Sequence, residues 1–216
     1  VRPPCVKRSG NHRERFMGFE LEQEVNDHFA PFYPYVADEV LAEYGSASGR
    51  VLEVGPYGPG VSIALARKCP EMSFVCGDES GEALAYIRKC VRGEKLTRRV
   101  EILNIDKDSL LFDSDTFDLV IFRGGLFFWE GQERILSEMN RVLKPGGLGA
   151  HGGGFGAGAP DELIELHLKK ARALNSRLKK KRLSEEDVKG IVKNAKLDPG
   201  ARIAKRHGLW IYWRKK

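Results

Sequence analysis

Five short apolar runs, each ending at a polar or glycine-rich break, organise the middle of the chain. They are VLEV (51–54), SFVCG (73–77), VEILN (100–104), DLVIF (118–122) and LGAHG (148–152). Segments of helical spacing lie among them, at 61–69, 80–93 and 130–143. Runs so short and apolar read as strands buried on both faces. Strands separated by helices run parallel, because each crossover returns the chain to the same end of the sheet. The pattern predicts an α/β fold, a doubly wound, mostly parallel sheet in a single domain, with right-handed crossovers. At 216 residues the chain is long enough to bury such a core without cross-links.

Punctuation supports the same reading. From Glu20 to Tyr44 the sequence predicts helical pieces broken at Pro31 and Pro34, with FAPFYPY as an aromatic hinge. Ser80 is placed to cap the second helix. KPGG (144–147) is expected to stop a helix at Leu143 and lead into the fifth strand. After Pro160, Ile164, Leu168, Ala171, Leu174 and Leu178 share one helical face, and Ser184-Glu185-Glu186-Asp187 resembles another helix start. The segment RIAKRHGLWIYWRKK reads as two strands around His207-Gly208. Residues 1–19 are read as a basic N-terminal arm, and 20–216 as one domain with a helical N-terminal lid and a basic C-terminal third.

Charge is unevenly placed within a net +6. From Asp161 onward there are 17 Lys and Arg against 7 Asp and Glu, whereas the residues before it carry an acidic surplus of four. That basic third admits an anionic partner such as RNA, or simply a solvated lysine-rich face. Cys5, Cys69, Cys76 and Cys90 show no zinc-site spacing, so reduced thiols in a cytoplasmic protein without a metal site are expected. No apolar stretch approaches membrane-spanning length.

The break after the first run, VLEVGPYGPGVSIALA (51–66), holds three glycines and two prolines between a strand and a helix. Glycine there lets backbone approach a ligand, and the following helix start adds amide donors. Acidic residues then stand at three successive strand ends: Glu53, Asp78 and Asp106. Asp78 follows at the distance typical of a carboxylate that accepts from ribose hydroxyls. Helix capping by Asp78 and a turn anchored by Asp106 remain open alternatives.

With VLEVGPYGPG, FVCGDES, NIDKDSLLFDSDTFDLVIF and ILSEMNRVLKPGG in view, the chain resembles a class I S-adenosylmethionine-dependent methyltransferase. The resemblance is close over about residues 30–155, and DTFDLV followed by RVLKPGG carries most of its specificity. It implies a Rossmann-like sheet with an antiparallel C-terminal strand and S-adenosyl-L-methionine as cofactor. It assigns Glu53 to the methionyl amine and Gly55, Gly58 and Gly60 to the methionine and ribose. Asp78 would take the ribose hydroxyls, Glu79, Asp106 and the Lys107 amide would border the adenine, and Arg123 and Gly124 would border the methyl group. The sequence departs from the family pattern at Pro56-Tyr57, which widens the glycine spacing and offers Tyr57 to the cofactor. It departs again at Arg123–Trp129, so a family base cannot be carried over.

Candidates for a base near the predicted mouth are His151, Glu130, Tyr33 and Tyr35. FAPFYPY and LFFW suggest a lid and wall around an apolar acceptor, and GGGFGAG a gate. The leading expectation is methyl transfer to a small molecule. An RNA methyltransferase, a catalytically silent cofactor-binding module and a nicotinamide oxidoreductase are the alternatives.

Overall fold

A computed structural model describes residues 19–55, 58–197 and 200–216. The expected arm up to residue 18, Cys5 and Tyr57 lie outside the described residues. The chain opens with α1 (Phe19–Phe29), a 3-10 turn (Ala30–Phe32) and α2 (Tyr33–Tyr44). There follow β1 (Ser48–Val54), α3 (Gly60–Lys68), β2 (Glu71–Asp78), α4 (Gly81–Gly93), β3 (Val100–Asn104) and β4 (Phe117–Arg123). Then come α5 (Gly125–Phe128), α6 (Gln132–Val142), β5 (Leu143–Gly154), α7 (Asp161–Arg177), α8 (Glu185–Asn194), β6 (Arg202–Ala204) and β7 (Gly208–Arg214). The strands form one seven-stranded sheet in the order β3-β2-β1-β4-β5-β7-β6. The first five are parallel, and β7 runs antiparallel between β5 and β6. The strand order reverses between β1 and β4, where ligands of open α/β sheets bind.

Strand parity sends alternate side chains to two cores. Val51, Phe74, Leu119, Ile121, Leu148 and Ala150 pack beneath α1 to α4 and α7. Leu52, Val54, Val75, Val120 and Phe122 pack against α5, α6 and α8. By the same alternation Glu53 and Arg123 point toward the first layer and His151 toward the second.

Local rules explain most element ends. Ser80 Oγ accepts the Ala83 amide at 3.3 Å as the cap of α4. Ser184 and Asp187 form a reciprocal capping box at α8. Pro31 lies in the 3-10 turn, while Pro34 sits in the first turn of α2, where no amide is required. That corrects the expected break at Pro34. The helix before KPGG stops at Val142, and Leu143 already pairs with Phe117; KPGG is an irregularity inside β5, because the register resumes only at Leu119 and Leu148. His207 takes a positive φ of 54° at the turn into β7.

Candidate functional site

Glu53 is 3% exposed at the end of β1, directed toward α3. Its carboxylate accepts the amide of Ser62 at 2.7 Å and that of Val61 at 3.3 Å, so it satisfies the orphan donors of the α3 N-terminus. Burial pushes its pKa up to about 7, with the Ser62 and Val61 hydrogen bonds and Arg123 opposing the rise. The sequence reading gave Glu53 to a ligand amine; in the structure its bonds run to the helix, and it fixes where the glycine loop ends.

Asp78 closes β2 half-buried, and Oδ1 accepts the Ser80 amide at 2.8 Å. Its Oδ2 lies 1.9 Å from where a Cβ on Gly55 would stand, so only glycine allows this carboxylate against the loop. Burial raises its pKa, opposed by the Ser80 amide and Lys107. Beside it, Glu79 pairs with Lys107, whose ammonium also lies 5.6 Å from the centre of the Trp129 ring. Asp106 Oδ1 accepts the Asp108 amide at 2.7 Å, the turn-anchoring role left open by the sequence. The same sheet edge thus brings Gly55, Asp78, Glu79, Asp106 and Lys107 together, while Glu53 sits behind them.

Gly58 and Gly60 have a different reason. A Cβ on Gly60 would fall 2.3 Å from the Tyr33 ring, and one on Gly58 3.0 Å from Tyr86. Gly58 also holds φ at +70°, which disfavours other residues. Two tyrosines pack against the space that side chains there would take. Asn26 of α1 joins them: its Oδ1 accepts from the Tyr33 hydroxyl and its Nδ2 donates to that of Tyr86. Sequence reasoning missed Asn26, although one polar residue on the buried face of an amphipathic helix was its signal.

On the other side of the switch point, Arg123 ends β4 at 6% exposure. Its guanidinium lies 4.7 Å from the ring centre of Phe29 and 5.1 Å from that of Tyr33. Gly124 turns the chain at φ +90° and donates to Gly152 O at 2.6 Å. Phe29, Phe32 and Phe155 pack together, with Phe155 centred 4.6 Å from Phe32. So the first half of FAPFYPY meets the GGGFGAG segment and roofs the end of β5.

The candidate bases do not converge. His151 is fully buried on the opposite face, with Nε2 2.7 Å from Gln132 Oε1, and burial holds its pKa down at about 3. Glu130 is exposed and paired with Lys181. The Tyr33 hydroxyl donates to Asn26, and burial raises its pKa. Tyr35 is half-buried, its backbone packed on Gly156. Among the described residues no cluster of three His, Cys, Asp or Glu side chains is placed to hold a metal, and no helix is long and apolar enough to cross a membrane.

This geometry can be set beside known proteins. A family model described as a methyltransferase domain matches residues 51–147, from β1 into the start of β5. Over 92% of each chain, the protein superposes with TM-score 0.78 and 27% identity on a candidate S-adenosyl-L-methionine-dependent methyltransferase from Methanococcus maripaludis. Residues 51–147 form a methyltransferase domain, on a fold shared with S-adenosylmethionine-dependent methyltransferases. Among curated methyltransferases, a ubiquinone/menaquinone biosynthesis C-methyltransferase of Geobacter sulfurreducens is 33% identical over 103 residues, 47% of this chain and 40% of the relative. A phosphatidylethanolamine N-methyltransferase of Cereibacter sphaeroides is 35% identical over 106 residues, 49% of this chain and 51% of the relative. The chain spans about half the length of those relatives or less. Its Rossmann-like sheet and antiparallel C-terminal strands are those expected from the sequence.

Proposed function

We propose that this chain transfers a methyl group from S-adenosyl-L-methionine to a small-molecule acceptor. The observation that carries the reading is the single sheet edge on which Gly55, Asp78, Glu79, Asp106 and Lys107 meet. The residues fit the cofactor: a half-buried carboxylate lies against a side-chain-free loop, as a ribose diol requires, and polar groups flank it. Asp78 would hold the ribose hydroxyls, and Glu79, Asp106 and the Lys107 amide would border the adenine. Arg123 and Gly124 would face the acceptor side. When bound, the sulfonium supplies a methyl group with a neutral thioether as leaving group, so the transfer is an in-line displacement.

The chain's own contribution is then chiefly alignment, which is worth several kcal/mol when reacting atoms are held in line. Glu53 contributes by fixing the N-terminus of α3 and with it the loop. Tyr33, His151 and Glu130 are engaged in bonds of their own, so a carbon or already ionised nucleophile suits this site better than one needing a strong base. The quinone-pathway and phospholipid substrates in the relatives' names support a small molecule as acceptor.

The test is calorimetric titration with S-adenosylmethionine, S-adenosylhomocysteine and NAD in parallel, followed by acceptor screens with small molecules first and RNA second. Binding of both sulfur nucleosides without NAD is expected. Binding of NAD alone would replace the reading with an oxidoreductase, and steeply salt-dependent turnover on RNA would move the acceptor to nucleic acid.

A further inference from the structure

Between β4 and α6 the chain makes α5, a single turn of helix from Gly125 to Phe128, too short to hold its own shape. Gln132, 6% exposed in the first turn of α6, brackets it. Its Nε2 donates to Gly125 O at one end and to Trp129 O just past the other, both at 2.9 Å. Both amide protons are then engaged, so Oε1 is left to accept. It accepts from His151 Nε2 at 2.7 Å, which fixes the imidazole tautomer. Burial holds the His151 pKa down at about 3, so the ring stays neutral near pH 7 and the donor persists. The same ring packs 5.2 Å from Phe122, which lies 5.6 Å from Trp129. Lys181 supports the turn from outside, its amide donating to Phe127 O at 3.0 Å and its ammonium to Trp129 O at 3.4 Å.

What the bracket holds is Trp129, whose ring reaches from the segment after β4 to the loop after β3. There the Lys107 ammonium lies 5.6 Å from the ring centre and pairs with Glu79 at the end of β2. The Lys107 amide meets the same Glu79 oxygen at 3.5 Å, a long bond that a ring nitrogen of a base can replace. We propose that Gln132 is a positioning residue for the cofactor's base: through Trp129 it sets Lys107, and with it the donor that selects adenine over other purines. This inference rests on the methyl-transfer reading, which puts the adenine among Glu79, Asp106 and Lys107. Adenine presents an amine beside a ring nitrogen that accepts, whereas hypoxanthine presents an oxygen beside a ring N–H. The Asp106 carboxylate and the Lys107 amide match the first edge and oppose the second. That discrimination requires the amide to be held to within about 0.5 Å, which an unsupported loop does not do.

The probes are S-adenosylhomocysteine and S-inosylhomocysteine, titrated calorimetrically into the parent and its variants beside a thermal melt. Acrylamide quenching of tryptophan fluorescence is read on the same proteins without ligand. The parent is expected to prefer the adenine nucleoside by about tenfold or more. Gln132→Met, which removes the amide at similar volume, should lose most of that preference and open Trp129 to acrylamide. Trp210 and Trp213, buried in β7, give an unchanged background. Trp129→Leu should lose the preference too, and Trp129→Phe should keep it, since a ring face still meets the ammonium. If Gln132→Met does not fold, Gln132→Asn, which withdraws the amide by one methylene, takes its place. Failure of both to fold would mean that the bracket serves the fold and not the base, and would overturn the proposal. Equal binding of the two nucleosides by the parent would overturn it as well. So would an undiminished preference or unchanged quenching in a folded Gln132 variant, or an undiminished preference in Trp129→Leu. A parent that binds neither nucleoside would remove the methyl-transfer reading and this inference with it, whereas variants that bind with unaltered selectivity remove the inference alone.

Discussion

The ring of Tyr33 lies against the bare Cα of Gly60, where a methyl group would come within 2.3 Å of it. This contact joins the N-terminal helices to the start of α3, because the same ring underlies Arg123 and its hydroxyl is held by Asn26. Gly60→Ala is therefore expected to displace Tyr33 and destabilise the fold by about 1–3 kcal/mol, as overpacking of a tight core does. Urea unfolding with an unchanged m-value checks it; a variant as stable as the parent would mean that the contact relaxes without cost.

Asn26 satisfies both tyrosine hydroxyls, one of them on the buried Tyr33. Asn26→Leu should cost about 2–3 kcal/mol by leaving polar groups without a partner. Adding Tyr33→Phe to that variant should restore part of the loss, and the non-additivity in a double-mutant cycle measures the coupling. Simple additivity would show that the two side chains act independently.

Asp78→Ala should weaken S-adenosylmethionine affinity by about 1–3 kcal/mol, the worth of charge-assisted hydrogen bonds, while leaving the fold intact. Calorimetry beside a thermal melt reads both quantities. An unchanged affinity would detach the ribose from β2.

Buried Glu53 and His151 make stability depend on pH in opposite directions. The Glu53 pKa is raised to about 7 from an ordinary 4.5, so between those values the folded state binds the extra proton and stability falls as pH rises. His151 is held at about 3 against an ordinary 6.5, so its contribution is fully present above 6.5 and is lost as pH falls toward 3. Glu53→Gln should remove the first slope, worth on the order of 3 kcal/mol, and be relatively more stable at pH 8 than at pH 5. Chemical unfolding of parent and variant at the two pH values checks the sign; a difference that does not change with pH would place Glu53 in a hydrated setting.

Most of the sheet was legible because its strands carry two-sided burial, and Ser80, Ser184 and Pro160 announce helix starts in local chemistry. The ends of the strands were legible for the same reason, which is why Asp78, Glu79 and Asp106 could be placed on one edge. What sequence could not supply was the partner across space. His151 sits one position along β5 from Ala150, and that single step sends it to the far core against Gln132. The tyrosines packed on Gly58 and Gly60 come from α4 and α2, far along the chain, so the glycine loop alone does not announce them. Arg123 and Lys180 are separated in sequence by α5, α6, β5 and α7, and only the fold brings them to one cavity.

The insertion of β7 between β5 and β6 carries a consequence for how the molecule is made. Chain synthesis delivers β1 to β3 with α3 and α4 within residues 48–104, so the edge holding Asp78 can take shape early, whereas the neighbour of β5 arrives only with residues 208–214. Until then the backbone edge of β5 from Leu148 to Gly154 stands open beside an apolar core. That interval is when a nascent chain most needs a chaperone, and when a strand from another copy would find a place to bind.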